Sequence, residues 1–304
     1  MCTSILVLAA LALPFAAAAC AAQAEPAAER LPLEVFAYDR TAPLELREGA
    51  PVAAGSVSHR PVSFAGPRGG RATGVLVVPD GPGPFAGILL MHGAPGSAER
   101  MLPLAAELSE HGAVVLALDA PFARRGGPPV RFTPADSAEQ VQLVVELQRG
   151  VDLLLARPDV DPERLAFVGR SYGGTIGALL AGVERRLKTY VLGVADGGLV
   201  AHVTGAGDAG PLGDLPAERM ERWLAAMRPI EPSRFVGRAP PASILFQSAR
   251  RDELVRAADA EALHRAARQP YTVRWYDAGH RATPEVMRDQ LEWLHRTVGT
   301  RRPE

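Results

Sequence analysis

The chain has 304 residues, 47% of them hydrophobic, which is enough to bury a full α/β core. Its 33 lysines and arginines nearly cancel its 34 aspartates and glutamates, so no broad field of one sign marks a nucleic acid or an anionic membrane as partner. Lys188 is the only lysine, which leaves little room for Schiff-base or serine–lysine chemistry.

Residues from Met1 to about Ala24 contain an apolar run, Ile5 to Ala19, of signal-peptide length and too short for a comfortable membrane span. Residues 1–24 are therefore expected to direct export to the periplasm or medium, with no integral span in the mature form. Cleavage could follow Ala22-Gln23-Ala24; alternatively Cys20, behind Ala17-Ala18-Ala19, could carry a lipid anchor. Both cysteines, Cys2 and Cys20, lie in this segment. That excludes disulfides, thiolate-bound zinc and a cysteine nucleophile from the rest of the chain.

Residues 25–55 are rich in alanine, proline and charge without a sustained period, and read as a linker followed by irregular or edge structure. A single domain over 56–304 follows. Val57 to Phe64 and Ala72 to Val78 flank the turn-prone Gly66-Pro67-Arg68-Gly69-Gly70 and predict a hairpin at a sheet edge. Beyond them, Phe85–Met91, Ala113–Leu118, Leu165–Val168, Tyr190–Val194, Ala242–Phe246 and Tyr271–Trp275 have the continuity of strands buried on both faces. Helical patterns lie between them. The clearest runs from Ser137 to Arg157, and the last opens at Thr283-Pro284-Glu285 and buries Met287, Leu291 and Leu294. This alternation predicts βαβ units and a mostly parallel sheet of about eight strands. Residues 197–238 are too long for an ordinary connection, contain a helix over Pro216–Met227, and are expected to cover part of a pocket.

Leu165 to Gly174 reads as a strand, then Gly169-Arg170-Ser171-Tyr172-Gly173, then a helix that starts within the motif. Such a G-x-S-x-G turn projects its serine from the carboxyl edge of a sheet, and only small residues at 169 and 173 let strand and helix approach so closely. Ser171 is thus the candidate nucleophile, with the Tyr172 amide facing a developing oxyanion.

A serine needs an imidazole to take its proton and an acid to orient that imidazole, in the chain order serine, acid, histidine for this kind of elbow. Of seven histidines, only His202, His264, His280 and His295 follow Ser171. His280 sits between a strand and the capped last helix, where a base is required. His264 and His295 fall within helical patterns, and His202 in the glycine-rich insertion. For the acid, the strand at 242–246 runs into a loop containing Asp252, the choice, with Glu253 and Asp196 as competitors; Asp277 reads as a turn residue. The loop His92-Gly93-Ala94-Pro95-Gly96 offers the Ala94 amide as second oxyanion donor, because Pro95 has none, while His92 reads as a loop-fixing side chain. Arg170, Arg124, Arg125 and Arg131 are candidates to neutralise a substrate carboxylate.

Together, His92-Gly93-Ala94-Pro95-Gly96, Asp161-Pro162-Glu163-Arg164, Gly169-Arg170-Ser171-Tyr172-Gly173-Gly174, Asp252 and Asp277-Ala278-Gly279-His280 resemble the α/β-hydrolase superfamily over roughly Val57 to Val298. Within it they look most like dienelactone-hydrolase-like esterases and the catalytic domains of prolyl-oligopeptidase-type peptidases. The resemblance implies the α/β-hydrolase fold and serine hydrolysis of a small-molecule acyl substrate without metal or cofactor. Two departures limit it: dienelactone hydrolases proper use cysteine where this chain has Ser171, and the peptidases carry an amino-terminal propeller for which there is no room. A serine at the elbow also argues against the aspartate-based dehalogenase and epoxide-hydrolase branches. A carboxylic ester hydrolase is the expectation; a peptidase or amidase with the same triad and a catalytically silent ligand-binding member are the alternatives.

Overall fold

The computed structural model describes residues 31–205 and 215–303. The expected signal segment with Cys2 and Cys20, the linker as far as residue 30, and residues 206–214 of the expected cover lie outside them.

The stretch from residue 31 is tied to the body. One 3-10 turn, Leu33–Phe36, buries Phe36 edge-on against Phe235 with ring centroids 5.6 Å apart, and the Tyr38 hydroxyl donates to Asp152 at 2.9 Å. Two short strands, β1 (Arg47–Glu48) and β2 (Val52–Ala54), then pair antiparallel with β3 (Val57–Ala65). β3 and β4 (Arg71–Pro79) form the predicted hairpin, paired from Val57↔Pro79 to Ala65↔Arg71. Gly69 and Gly70 turn it with φ of 90° and 68°, which a side chain would strain.

The expected alternation follows: β5 (Phe85–Met91), α1 (Leu102–Glu110), β6 (Ala113–Leu118), the short α2 (Pro121–Arg125), α3 (Ala135–Leu155) and β7 (Val160–Arg170). Next come α4 (Tyr172–Val183), β8 (Thr189–Gly193), α5 (Leu199–Gly205), α6 (Ala217–Met227) and β9 (Ser243–Ala249). α7 (Ala257–Ala266), β10 (Tyr271–Tyr276) and α8 (Pro284–Val298) complete the chain. The sheet has ten strands, the two short edge strands included, in the path β1-β3-β4-β6-β5-β7-β8-β9-β10, with β2 beside β3.

Successive residues of the central strands serve two cores. Ile88 and Leu90 of β5 pack with Ala105 and Leu108 of α1 and with Leu291 and Leu294 of α8. Leu89 and Met91 face the opposite side, where α3 and α4 bring Leu147, Val151, Ile176 and Leu179. Helices on both faces explain why these strands read as unbroken apolar runs. In α8, Thr283 caps the helix by accepting from the Val286 amide at 3.3 Å, and Val286 and Val298 point inward. Met287, expected in the core, is only half-buried, because the inward stripe starts one residue earlier. No helix among the described residues is long and apolar enough to cross a membrane.

β5 and β7 to β10 run parallel, so their carboxyl ends share one edge. The chain leaves β5 for β6 on one side and returns to β7 on the other. A crevice opens at the carboxyl ends of strands at such a switch point, and the loops that border it carry Ala94 and Ser171.

Candidate active site

Ser171 is the hinge between β7 and α4, with φ 56° and ψ −127°. A residue with a side chain held there stores on the order of 1–3 kcal/mol of strain. Two backbone bonds hold it: the Ser171 amide donates to Gly193 at 2.8 Å, and its carbonyl accepts from Thr175 at 2.9 Å. The motif glycines are required by crowding. A Cβ on Gly169 would sit 2.3 Å from the Gly173 carbonyl oxygen, and one on Gly173 would sit 2.3 Å from that of Met91. Strand and helix can cross this closely only without those methyl groups.

His280 and Asp252 meet as expected. His280 Nδ1 lies 2.9 Å from each Asp252 carboxylate oxygen. The Asp252 side chain is 2% exposed, and its Oδ1 also accepts from the Leu254 and Val255 amides at 2.8 and 2.9 Å. The carboxylate is therefore fixed before the ring docks on it. The competitor Glu253 contacts the same residue differently: its Oε2 accepts from the His280 backbone amide at 3.3 Å, not from the ring. Asp196, the other competitor, pairs with His202 at 2.7 Å. Asp277 is a surface residue paired with Arg251 at 2.9 Å. Among the described residues no hydrogen bond joins Ser171 Oγ to His280. Such bonds often tighten only around substrate.

Arg170 explains how the two loops are kept together. Its guanidinium donates to the His280 carbonyl oxygen, tethering the His280 loop to the end of β7 beside Ser171. One guanidinium donor of Arg170 is thus committed to the protein backbone. The other arginine candidates pair with carboxylates: Arg124 with Glu146 at 2.7 Å, Arg125 with Glu139 at 2.8 Å, and Arg131 with Glu139 at 2.8 Å.

The loop after β5 is set by His92. Its Nε2 accepts from the Ala120 amide at 3.0 Å, so Nδ1 carries the proton and donates to the Gly93 carbonyl at 2.6 Å. Burial holds the imidazole below its ordinary pKa and thus neutral. Because a trans peptide points its N–H opposite its carbonyl, pulling the Gly93 oxygen to His92 turns the Ala94 amide the other way. A Cβ on Gly93 would stand 3.3 Å from Ser171 Cβ, so this loop lies directly against Ser171. The Tyr172 amide opens α4, where no intrahelical acceptor exists.

A cavity of about 370 Å³ opens at Ser171, walled by Ala94, Val130, Tyr172, Leu199, Leu254 and Val255. A wider cleft of about 940 Å³ runs past His59, Thr73 and Asp119 but holds none of Ser171, Asp252 or His280. The smaller space is the one at Ser171.

The sequence profile of the alpha/beta hydrolase family matches residues 88–299. The chain belongs to that family. No curated protein matches it in sequence. Among solved structures, the hydrolase is similar to the acetyl xylan esterase from Paenibacillus sp. R4, with a TM-score of 0.70 at 20% identity over 87% of this chain and 91% of that one. Acetyl xylan esterase 1 from Thermoanaerobacterium sp. JW/SL YS485 gives 0.69 at 14% identity, again over 87% and 91%. A dienelactone-hydrolase-like protein from Klebsiella pneumoniae subsp. pneumoniae MGH 78578 gives 0.56 at 18% identity, over 79% of this chain and 98% of that one. At these identities the likeness is one of fold.

The remaining histidines of the hydrolase separate cleanly. His264 is buried against Phe246 and Trp275, hydrogen-bonds to Ser248 at 3.1 Å, and has its pKa lowered to about 4 by burial. His295 bonds the Thr300 carbonyl at 2.6 Å. His202 differs, because with Leu199 it lines the cavity of Ser171. Sequence reasoning passed it over, since a glycine-rich stretch has no period to orient it. The one available signal was Asp196, an acid at a strand's carboxyl end six residues before.

Proposed function

We propose that this hydrolase cleaves carboxylic esters through an acyl-enzyme, with Ser171 as nucleophile, His280 as base and Asp252 as the acid that orients it. The observation that carries the reading is His280 Nδ1 between both oxygens of a buried Asp252, at the sheet edge where Ser171 is held in strained geometry. With Nδ1–H committed to Asp252, Nε2 presents a lone pair to accept a proton. Ser171 Oγ bonds to the ester carbonyl carbon as its proton passes to Nε2. The oxyanion takes hydrogen bonds from the Tyr172 and Ala94 amides, each worth on the order of 3 kcal/mol. His280 then returns the proton to the departing alkoxide as the C–O bond breaks. Water, deprotonated by His280, attacks the acyl-enzyme and frees the acid and Ser171. The esterase names of the structural neighbours support ester over amide chemistry.

Purified protein should release 4-nitrophenol from 4-nitrophenyl acetate, and Ser171→Ala should reduce release to background. Equal rates in the two would overturn the reading in favour of a silent, ligand-binding member. Faster turnover of peptide anilides than of esters would make the chain a peptidase. We also propose that residues 1–24 direct export, which their apolar run supports. Mass spectrometry of the mature amino terminus distinguishes cleavage after Ala24 from a lipidated Cys20.

A further inference from the structure

The cavity at Ser171 contains a second histidine–aspartate pair that the proposed cycle does not use. His202 Nδ1 lies 2.7 Å from Asp196 Oδ2. Asp196 is buried at the end of β8, and its other oxygen accepts from Thr175 Oγ1 at 3.1 Å and from the Gly198 amide at 3.2 Å. Thr175 stands one turn beyond Ser171 in α4, so the pair is anchored to the helix that carries the nucleophile. Each Asp196 oxygen thus already accepts from the protein. The His202 side chain keeps 44% of its exposure, and its Nε2 makes no hydrogen bond among the described residues. The surrounding walls are largely apolar: Ala94, Pro129, Val130, Leu199, Leu254 and Val255. A lone donor-capable nitrogen in an apolar cavity, backed by a fully engaged carboxylate, is the arrangement that fixes the orientation of a polar ligand group.

We propose that His202 determines specificity at this site, its Nε2–H binding a carboxylate on the ester whose carbonyl is attacked by Ser171. The inference rests on the esterase reading above and names its substrate class: esters that bear a second, anionic carboxyl group. The protonation state agrees with the geometry. The hydrogen bond to Asp196, assisted by the charge of Asp196 and of Asp259 on α7, raises the His202 pKa against desolvation and against Arg256. Arg256 is itself paired with Asp259 at 2.7 Å, and Glu231 sits at the start of α5, accepting from the Ala201 amide at 3.0 Å. The raised pKa widens the pH range over which the ring is an imidazolium, the form in which Nε2 is a donor and not an acceptor.

Two matched pairs of probes test this. The first is mono(4-nitrophenyl) glutarate against 4-nitrophenyl pentanoate, which places the carboxylate on the acyl chain. The second is 4-acetoxybenzoate against phenyl acetate, which places it on the leaving group. The members of each pair differ in intrinsic reactivity, so uncatalysed hydrolysis is subtracted and the change in the kcat/KM ratio with pH, or between wild type and His202→Gln, isolates recognition of the charge. In at least one pair the wild type should prefer the carboxylate about tenfold or more, as a charge-assisted hydrogen bond implies. The pair that responds tells on which side of the ester the carboxylate binds. His202→Gln keeps a donor for Asp196 but no charge, and should bring that ratio close to one, mostly through KM. In wild type the preference should be greatest once the substrate carboxylate is ionised, above roughly pH 4 to 5, and should decline as pH rises through the raised pKa of His202. This profile needs no variant, so it decides the matter if His202→Gln does not fold. Ratios near one in both pairs, or a pH-independent preference unaltered by His202→Gln, would overturn the inference. Ser171→Ala keeps the two readings apart. Turnover that survives it refutes the esterase reading, whereas turnover that it abolishes, with ratios near one in wild type, refutes only the role of His202.

Discussion

Replacing Asp252 by asparagine tests the proposed division of labour most directly, because the structure dictates how the amide must sit. Asp252 Oδ1 accepts from the Leu254 and Val255 amides at 2.8 and 2.9 Å. An asparagine would keep its oxygen on those two donors, since turning its NH2 toward them would set donor against donor. The NH2 would then face His280 Nδ1, which in the native site lies 2.9 Å from Asp252 Oδ2. A donor at that place requires Nδ1 to be the acceptor, so the neutral ring must carry its proton on Nε2. The nitrogen that should receive the Ser171 proton is then already occupied, and the negative charge that stabilises the imidazolium is gone as well. Loss of both should lower kcat by about 10³- to 10⁴-fold, equivalent to roughly 4–5.5 kcal/mol of transition-state stabilisation. KM should change little, because Asp252 touches the ring and not the substrate. Initial rates with 4-nitrophenyl acetate measure the loss, with a thermal melt to show that the variant is folded. A folded Asp252→Asn enzyme within tenfold of wild-type kcat would refute the assignment of Asp252 and reopen that of Glu253.

Two further outcomes follow from groups around the site. Arg170→Met removes the donor that tethers the His280 carbonyl, and should lower kcat by about 10- to 100-fold through misplacement of the base. The loss should be equal for neutral and carboxylate-bearing esters; a selective loss on the anionic ones would show that Arg170 reads substrate charge after all. Glu231 is 7% exposed and burial pushes its pKa up to about 7, even though its oxygens accept from the α5 amides. Its folded-state pKa is above its unfolded value. Its stabilising share is therefore complete below roughly pH 4.5 and is lost as pH rises through 7. Glu231→Gln should accordingly gain stability relative to wild type between pH 4 and pH 8, by up to about 3 kcal/mol, on top of a pH-independent loss, because one amide oxygen replaces two carboxylate oxygens that accept from Val200 and Ala201. Denaturant melts across that range check it, and a relative stability that does not rise with pH would refute it.

The legible parts of this protein were those set by neighbours along the chain. The strands at 85–91 and 113–118 have the predicted bounds, because burial on both faces leaves an unbroken apolar run wherever it occurs. The elbow could be read because its demands are local: Gly169 and Gly173 are four residues apart and meet each other and β5 at distances that no Cβ tolerates. His280 and Asp252 could be proposed from their places at the carboxyl ends of successive strands. The boundaries that shifted, such as β7 starting at Val160 and not Leu165, include Asp161 to Arg164, whose polar side chains carry no apolar signal.

Sequence alone thus determined the family, the sheet and the strained turn at Ser171, since these depend on hydrophobic period and on steric rules that act over a few residues. Tertiary structure decided the partnerships. Asp252 and Glu253 are adjacent and chemically alike, yet one meets the imidazole and the other the backbone amide of the same histidine. Arg170, next to Ser171 in the chain, donates to a carbonyl 110 residues away. Asp196, a competitor for the acid beside His280, instead pairs with His202 of α5, which lines the cavity of Ser171. Which polar group faces which depends on the direction of side chains brought together from distant segments, and no pattern within a segment encodes that direction.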